Sequence, residues 1–293
     1  MDVVDAQLHL GPGGIETTLA AMDALGIRGV VIDEFWGRRP YGDPQFFEPG
    51  FAFPNGSWRS IAPTAEVAAA LHPDRFTSVL RVDRRDPQLS SVVRAAQSSP
   101  FVRALRILPT WAPEDVQAFA ADGYDEVFAL AESHGLPIFV HAPGYVELVA
   151  ASAKRFPHLT MIVDHCGMPH PGLPSGRTAQ EQARVESPEY FDEVLRLADC
   201  PGVSLKWSHE QIAFRSNDYP FAGTRPFLRR ALDSFGAERV LWASDNTVIP
   251  HTWSDVFHSV RDNPDLTGAE KTAVLGGTVR RILDWDAAEP SAD

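Results

Sequence analysis

Short apolar blocks rich in Val, Ile and Leu recur along the chain: DVVDAQLHL, RGVVIDEF, FTSVLRVD, VRALRIL, LPIFVHA, LTMIVDHC, GVSLKWS and RVLWASD. Nearly continuous apolar runs of this length read as strands covered on both faces. Between them the apolar residues shift to three- and four-residue spacing, as in IETTLAAMDALG, YDEVFALAESHG, YVELVAASAKRFP, YFDEVLRLADCPG and RPFLRRALDSFG. These are amphipathic helices, and several close on the glycine that ends helices. Eight strand–helix units in 293 residues predict an α/β protein of the (β/α)8 barrel type. A doubly wound open sheet is the alternative, but GPGG at 11–14 lacks the spacing of a phosphate-binding glycine loop. The pattern gives one domain over residues 1–293, with a tail from about 287 that is expected to fray. Two stretches rich in Pro, Gly and aromatics break the rhythm, from Trp36 to about Ala62 and from Met168 to Pro188. They follow the second and sixth strands, so in a barrel they overhang the C-terminal mouth as lids.

Composition narrows the partners. The net charge of −13 argues against nucleic acid and anionic membranes, which bind basic faces. A small molecule is the expected partner, and self-association is compatible with everything in the sequence. The two cysteines, Cys166 and Cys200, do not make a disulfide framework and fit a reducing compartment. The chain enters its first strand without a basic, apolar leader, and no apolar run approaches the ~20 residues of a membrane span. A soluble, cytoplasmic protein is the expectation.

In a barrel, chemistry collects at the C-terminal ends of the strands. The polar residues there are Gln7 and His9, Glu34, Arg81, Arg106, His141, His165, Lys206 and Asp245. A lone histidine at a strand end is more often a hydrogen-bonded structural residue than a ligand. Three histidines and an aspartate sharing that placement carry a collective signal of function. Asp164 alternates away from His165 and reads as a structural partner in the turn. His72, His134, His158 and His258 fall on helices as surface residues, whereas His170, in the second lid, fits either role. Cys166 reads as a small buried residue. Arg81, Arg106 and Lys206 suggest a carboxylate-bearing substrate, since a guanidinium matches a carboxylate bidentately. Arg106 is the best clamp, because it ends a clean apolar strand. Pairing with Glu34, or of Arg81 with Asp83, is the competing use of these cations. Glu34 is then either an acid/base group or a salt-bridge partner. Trp36, Trp111, Tyr145 and Trp207 follow strand ends and form either an aromatic wall for the substrate or ordinary core.

The blocks DAQLHL, FVHA, MIVDHCGMP, SLKWS, FGAERVLWASDNTV and LGGTVRRILDW resemble successive segments of the amidohydrolase superfamily, in its amidohydrolase-2 branch. The resemblance runs from residue 3 to residue 285. It implies a (β/α)8 barrel with an HxH pair on strand one, histidines on strands five and six and an aspartate on strand eight. These positions fall on Gln7, His9, His141, His165 and Asp245. Gln7 departs from the pattern: an amide offers only a neutral carbonyl oxygen, so it is a weak ligand. His9, His141 and Asp245 would still make a three-ligand site for Zn2+ or Mn2+, with a metal-free site as the alternative.

The branch contains sugar-lactone and dicarboxylate-lactone hydrolases and non-oxidative decarboxylases. The resemblance therefore implies a hydrolase of a small, carboxylate-bearing lactone. Asp245 would be the base that activates water and His165 the group that polarises the carbonyl. A decarboxylase or hydratase of an aromatic or unsaturated acid is the second reading, and a non-catalytic binder of small acids the third.

Overall fold

The computed structural model describes residues 1–10, 14–35, 49–169 and 177–286. Eight parallel strands form a nearly closed barrel, and each pairs with its neighbours in sequence. They are β1 (Val4–Leu8), β2 (Gly29–Asp33), β3 (Phe76–Arg81) and β4 (Val102–Ile107). The remaining four are β5 (Ile138–Val140), β6 (Met161–Val163), β7 (Val203–Trp207) and β8 (Val240–Trp242). All eight lie within the apolar blocks of the sequence. The helices Ile15–Leu25, Asp125–Ser133, Val146–Arg155 and Arg225–Phe235 also fall where the apolar spacing puts them. The YFDEVLRLADCPG stretch differs. Its α-helix covers only Phe191–Leu195 and tightens to a 3-10 turn over Arg196–Asp199. Pro201 lies just beyond, and the residue before a proline is pushed out of the helical region.

Alternation along the strands sorts side chains into two layers. Val31, Val79, Ala104, Phe139, Ile162, Leu241 and Ala243 form one apolar cluster with Val4 and Ala6. This is the barrel interior, sealed at its base by Val279, Leu283 and Trp285. The residues between them, such as Ile32, Leu105, Val140, Val163, Leu205 and Trp207, belong to the larger cluster under the helices. In β1 the register against β2 shifts between Asp5 and Leu8. This bulge lets Gln7 turn toward the interior residues Lys206 and Asp245, although Ala6 before it is interior too.

The seam between β8 and β1 is closed by Asp245 N donating to Gln7 O at 3.1 Å. Asp5 fastens it further. Its carboxylate accepts from Gln7 N (3.1 Å), Ser244 N (2.9 Å), the Ser244 hydroxyl and Trp253 Nε1 (2.7 Å). The described part of the first lid carries a small antiparallel hairpin, Gly50–Ala52 with Trp58–Ser60. In the second, a capping box of Thr178 and Glu181 opens the helix Ala179–Val185. Trp36 and His170 lie outside the described residues. Among the described residues, no helix is long and apolar enough to cross a membrane.

Candidate active site

One inward side chain per strand forms the layer above the apolar interior: Gln7, Asp33, Arg81, Arg106, His141, Asp164, Lys206 and Asp245. Within it the charges are paired. Arg81 grips Asp33 with two bonds, Nε to Oδ1 at 2.7 Å and Nη2 to Oδ2 at 2.6 Å. Arg106 binds Asp33 and, at 2.7 Å, Asp164. Lys206 Nζ lies 2.6 Å from Asp164 Oδ1 and donates to Gln7 Oε1. Burial alone would raise the Asp33 pKa, but Arg106 and Arg81 outweigh it and hold the carboxyl well below its usual range. The same contest, against Arg106 and Lys206, lowers Asp164.

The chain of bonds continues through Gln7 to Asp245. Gln7 Nε2 donates to Asp245 Oδ2 at 3.0 Å, and His209 Nε2 approaches the same oxygen at 2.7 Å. His9 Nε2 stands 3.0 Å from Oδ1, and His165 Nε2 3.8 Å from Oδ2. Although burial opposes it, His9 and His209 hold Asp245 well below the usual carboxylate range. Two of the rings are oriented from behind. His9 Nδ1 bonds the Asp33 carbonyl at 2.7 Å, and His165 Nδ1 the Ser208 hydroxyl at 2.9 Å. His165 stacks on His209 at 4.0 Å between centroids and meets His141 edge-on at 5.4 Å. Burial, then the Arg106 charge, pushes His141 down to about 3, so it is neutral at neutral pH. Exposed Trp111 lies 6.1 Å from the His141 ring.

Several sequence expectations change here. The Gln7 carbonyl oxygen, expected as a weak metal ligand, accepts a hydrogen bond from Lys206. Arg81 pairs with Asp33 rather than Glu34 or Asp83, and Asp83 binds Arg85. Arg106 and Lys206 are committed to carboxylates of the protein. Glu34 accepts from Thr64 N (3.1 Å) and Ala65 N (2.8 Å), capping the helix Pro63–Leu71. Trp207 lies on the outer layer, packed against Phe214 and Phe191. Tyr145 flanks the second lid, where the Arg177 guanidinium lies 3.7 Å over its ring. Cys166 is buried, and burial pushes its thiol well up, which makes it inert.

Two residues escaped the sequence reading, Asp33 and His209. Asp33 is inward by strict alternation, one position before the Glu34 that draws the eye, as is Asp164, read in the sequence as a structural partner and here bound to Arg106 and Lys206. His209 follows β7 immediately, and a histidine at a strand end was the available signal. It enters the site through a left-handed backbone, φ 57°. His165 and Asp245 do the same, at φ 52° and 48°.

A paired-charge layer and a cluster of imidazoles around one carboxylate thus stand at the mouth of an eight-stranded barrel. The family model described as amidohydrolase matches residues 4–285, and the chain belongs to that family. Over 104 residues it is 29% identical to the L-fucono-1,5-lactonase of Burkholderia ambifaria, a match spanning 35% of this chain and 31% of that protein. An amidohydrolase from Burkholderia multivorans, crystallised with bound zinc, superposes with a TM-score of 0.67 at 19% identity, covering 98% of this chain and 100% of that one. The 2,6-dihydroxybenzoate decarboxylase from Rhizobium gives 0.59 at 15% identity, over 97% and 99%. At these identities the two structures speak for the fold.

The family makes a metal ion relevant, and the donor set accommodates one. Among the described residues, His165, His209 and Asp245 present ligand atoms that all lie within 4.8 Å of one another. Two imidazoles and a carboxylate are a familiar zinc donor set.

Proposed function

We propose that the protein is a hydrolase that opens a small cyclic ester, a lactone, by adding water to its carbonyl. The observation that carries this reading is the convergence of His9, His165 and His209 on the buried, ionised Asp245 at the barrel mouth. With Gln7 and His209 on its Oδ2 and His9 beside its Oδ1, the Asp245 carboxylate takes up the proton of the attacking water. It returns that proton to the ring oxygen as the acyl C–O bond breaks. His9, fixed by the Asp33 carbonyl, stands 3.0 Å from Oδ1. His165 faces the carbonyl side, directed by Ser208. A divalent ion held by His165, His209 and Asp245 would act there as a Lewis acid on the substrate carbonyl. Because Arg81, Arg106 and Lys206 already have carboxylate partners, they organise the layer beneath, and the lactone ring is what the site reads.

The test is a panel of sugar lactones and pyrone carboxylates, followed by acid release, with hydroxybenzoates assayed in parallel for CO2. Lactone opening is the expected activity, falling about 10²–10⁴-fold in Asp245→Asn, the usual worth of a general base. CO2 release without lactone opening, or an undiminished Asp245→Asn, overturns the reading.

A further inference from the structure

Asp245 sits on strained backbone. Its φ of 48° lies in the left-handed region, which costs a non-glycine residue about 1–3 kcal/mol and persists only where the surroundings enforce it. Gln7 holds the residue at two points. Its backbone carbonyl accepts from Asp245 N at 3.1 Å, and its side-chain Nε2 donates to Asp245 Oδ2 at 3.0 Å. The bulge in β1 is what turns the Gln7 side chain inward to make the second bond.

An amide can hold a carboxylate in only one of its two orientations. Turned over, it would set its carbonyl oxygen against Oδ2, two acceptors with no hydrogen between them. Lys206 removes that choice. An ammonium has donors only, and Lys206 directs one at Gln7 Oε1, so the NH2 group faces Asp245. Lys206 is itself fully buried and fixed, with Nζ 2.6 Å from Asp164 Oδ1, and Arg106 grips Asp164 in turn at 2.7 Å. The charged layer thus reaches the Asp245 carboxylate through one neutral side chain.

We propose that Gln7, oriented by Lys206, is the positioning residue for Asp245: its amide N–H keeps the carboxylate in the one orientation in which it meets the attacking water. The role rests on the reading of Asp245 as the base. It also calls for an amide at position 7. A glutamate there would keep the Lys206 contact and lose the donor, and a methionine of similar length would lose both.

Gln7→Glu and Gln7→Met test it. Each should lower kcat for lactone opening about 10–100-fold, the loss typical of a group that orients a catalytic side chain, with KM unchanged. Lys206→Met should lower kcat too, yet add little to Gln7→Met in the double variant, because the two act along one path. Isotope labelling of glutamine nitrogen, read by NMR, follows the contact without substrate. The side-chain NH2 signal that disappears in Gln7→Glu should shift in Asp245→Asn. Should Lys206→Met fail to fold, the Gln7 variants and the NH2 signal decide. Undiminished kcat in both Gln7 variants, additive losses in the double variant, or an NH2 signal indifferent to Asp245→Asn overturns the proposal. A wild type that opens no lactone overturns the reading of the reaction instead, and the NH2 signal still decides whether Gln7 holds Asp245.

Discussion

Asp33 and Glu34 are adjacent carboxylates with opposite duties. Asp33 neutralises two buried guanidiniums, and its backbone carbonyl also orients His9. Glu34 caps a helix. Asp33→Asn leaves Arg81 and Arg106 short of their counter-charge and should destabilise the fold by about 3–5 kcal/mol, as breaking a buried pair does. Glu34→Gln loses only part of a cap and should cost about 1 kcal/mol. Urea denaturation of the two variants checks the ordering. Equal losses would mean that the charged layer is not what holds β2 to β3 and β4.

Trp207 and Lys206 make the same contrast at the scale of a strand. Successive side chains point to opposite faces, so a buried lysine facing the site puts the tryptophan after it under the helices. Trp207→Ala should therefore cost stability, about 3–5 kcal/mol, while the folded fraction keeps its KM. A raised KM at unchanged stability would restore Trp207 to an aromatic wall. The same period explains how much could be read in advance. Strand positions, most helices and the family blocks were legible because periodicity and apolar runs report burial directly. Strict alternation, which set Asp164 apart from His165, would also have picked Asp33 from Val31. It could not have produced the histidine cluster. The bulge in β1 and the positive-φ turns at His165, His209 and Asp245 break the period where the site is built. Nor could it show that Lys206 would take the Gln7 oxygen, a contact between strands one and seven.

Over the whole molecule, the layer at the barrel mouth adds nothing to the net charge of −13, because it sets Asp33, Asp164 and Asp245 against Arg81, Arg106 and Lys206. That balance holds only while the carboxylates are ionised and His141 is neutral, which gives stability a defined acid limb. His141 is depressed to about 3 in the fold from 6.5. Between these values the unfolded chain binds the extra proton, so stability is lost as pH falls from 6.5 toward 3. Asp33 is also depressed, from 3.8. Its stabilisation is complete above that value and lost as pH falls through the lower folded one. The His141 contribution should thus be lost below pH 6.5 and that of Asp33 below 3.8, while Asp5 and Glu210, which burial raises to about 6 and about 8, gain stability over the same fall in pH. His141→Gln, which cannot take up a proton, should remove the first of these losses and leave the other contributions in place. The difference between variant and wild type should reach the order of a few kcal/mol near pH 4, following from roughly 1.4 kcal/mol per pKa unit. An unchanged upper slope in His141→Gln would mean that His141 is not the group held neutral beneath the site.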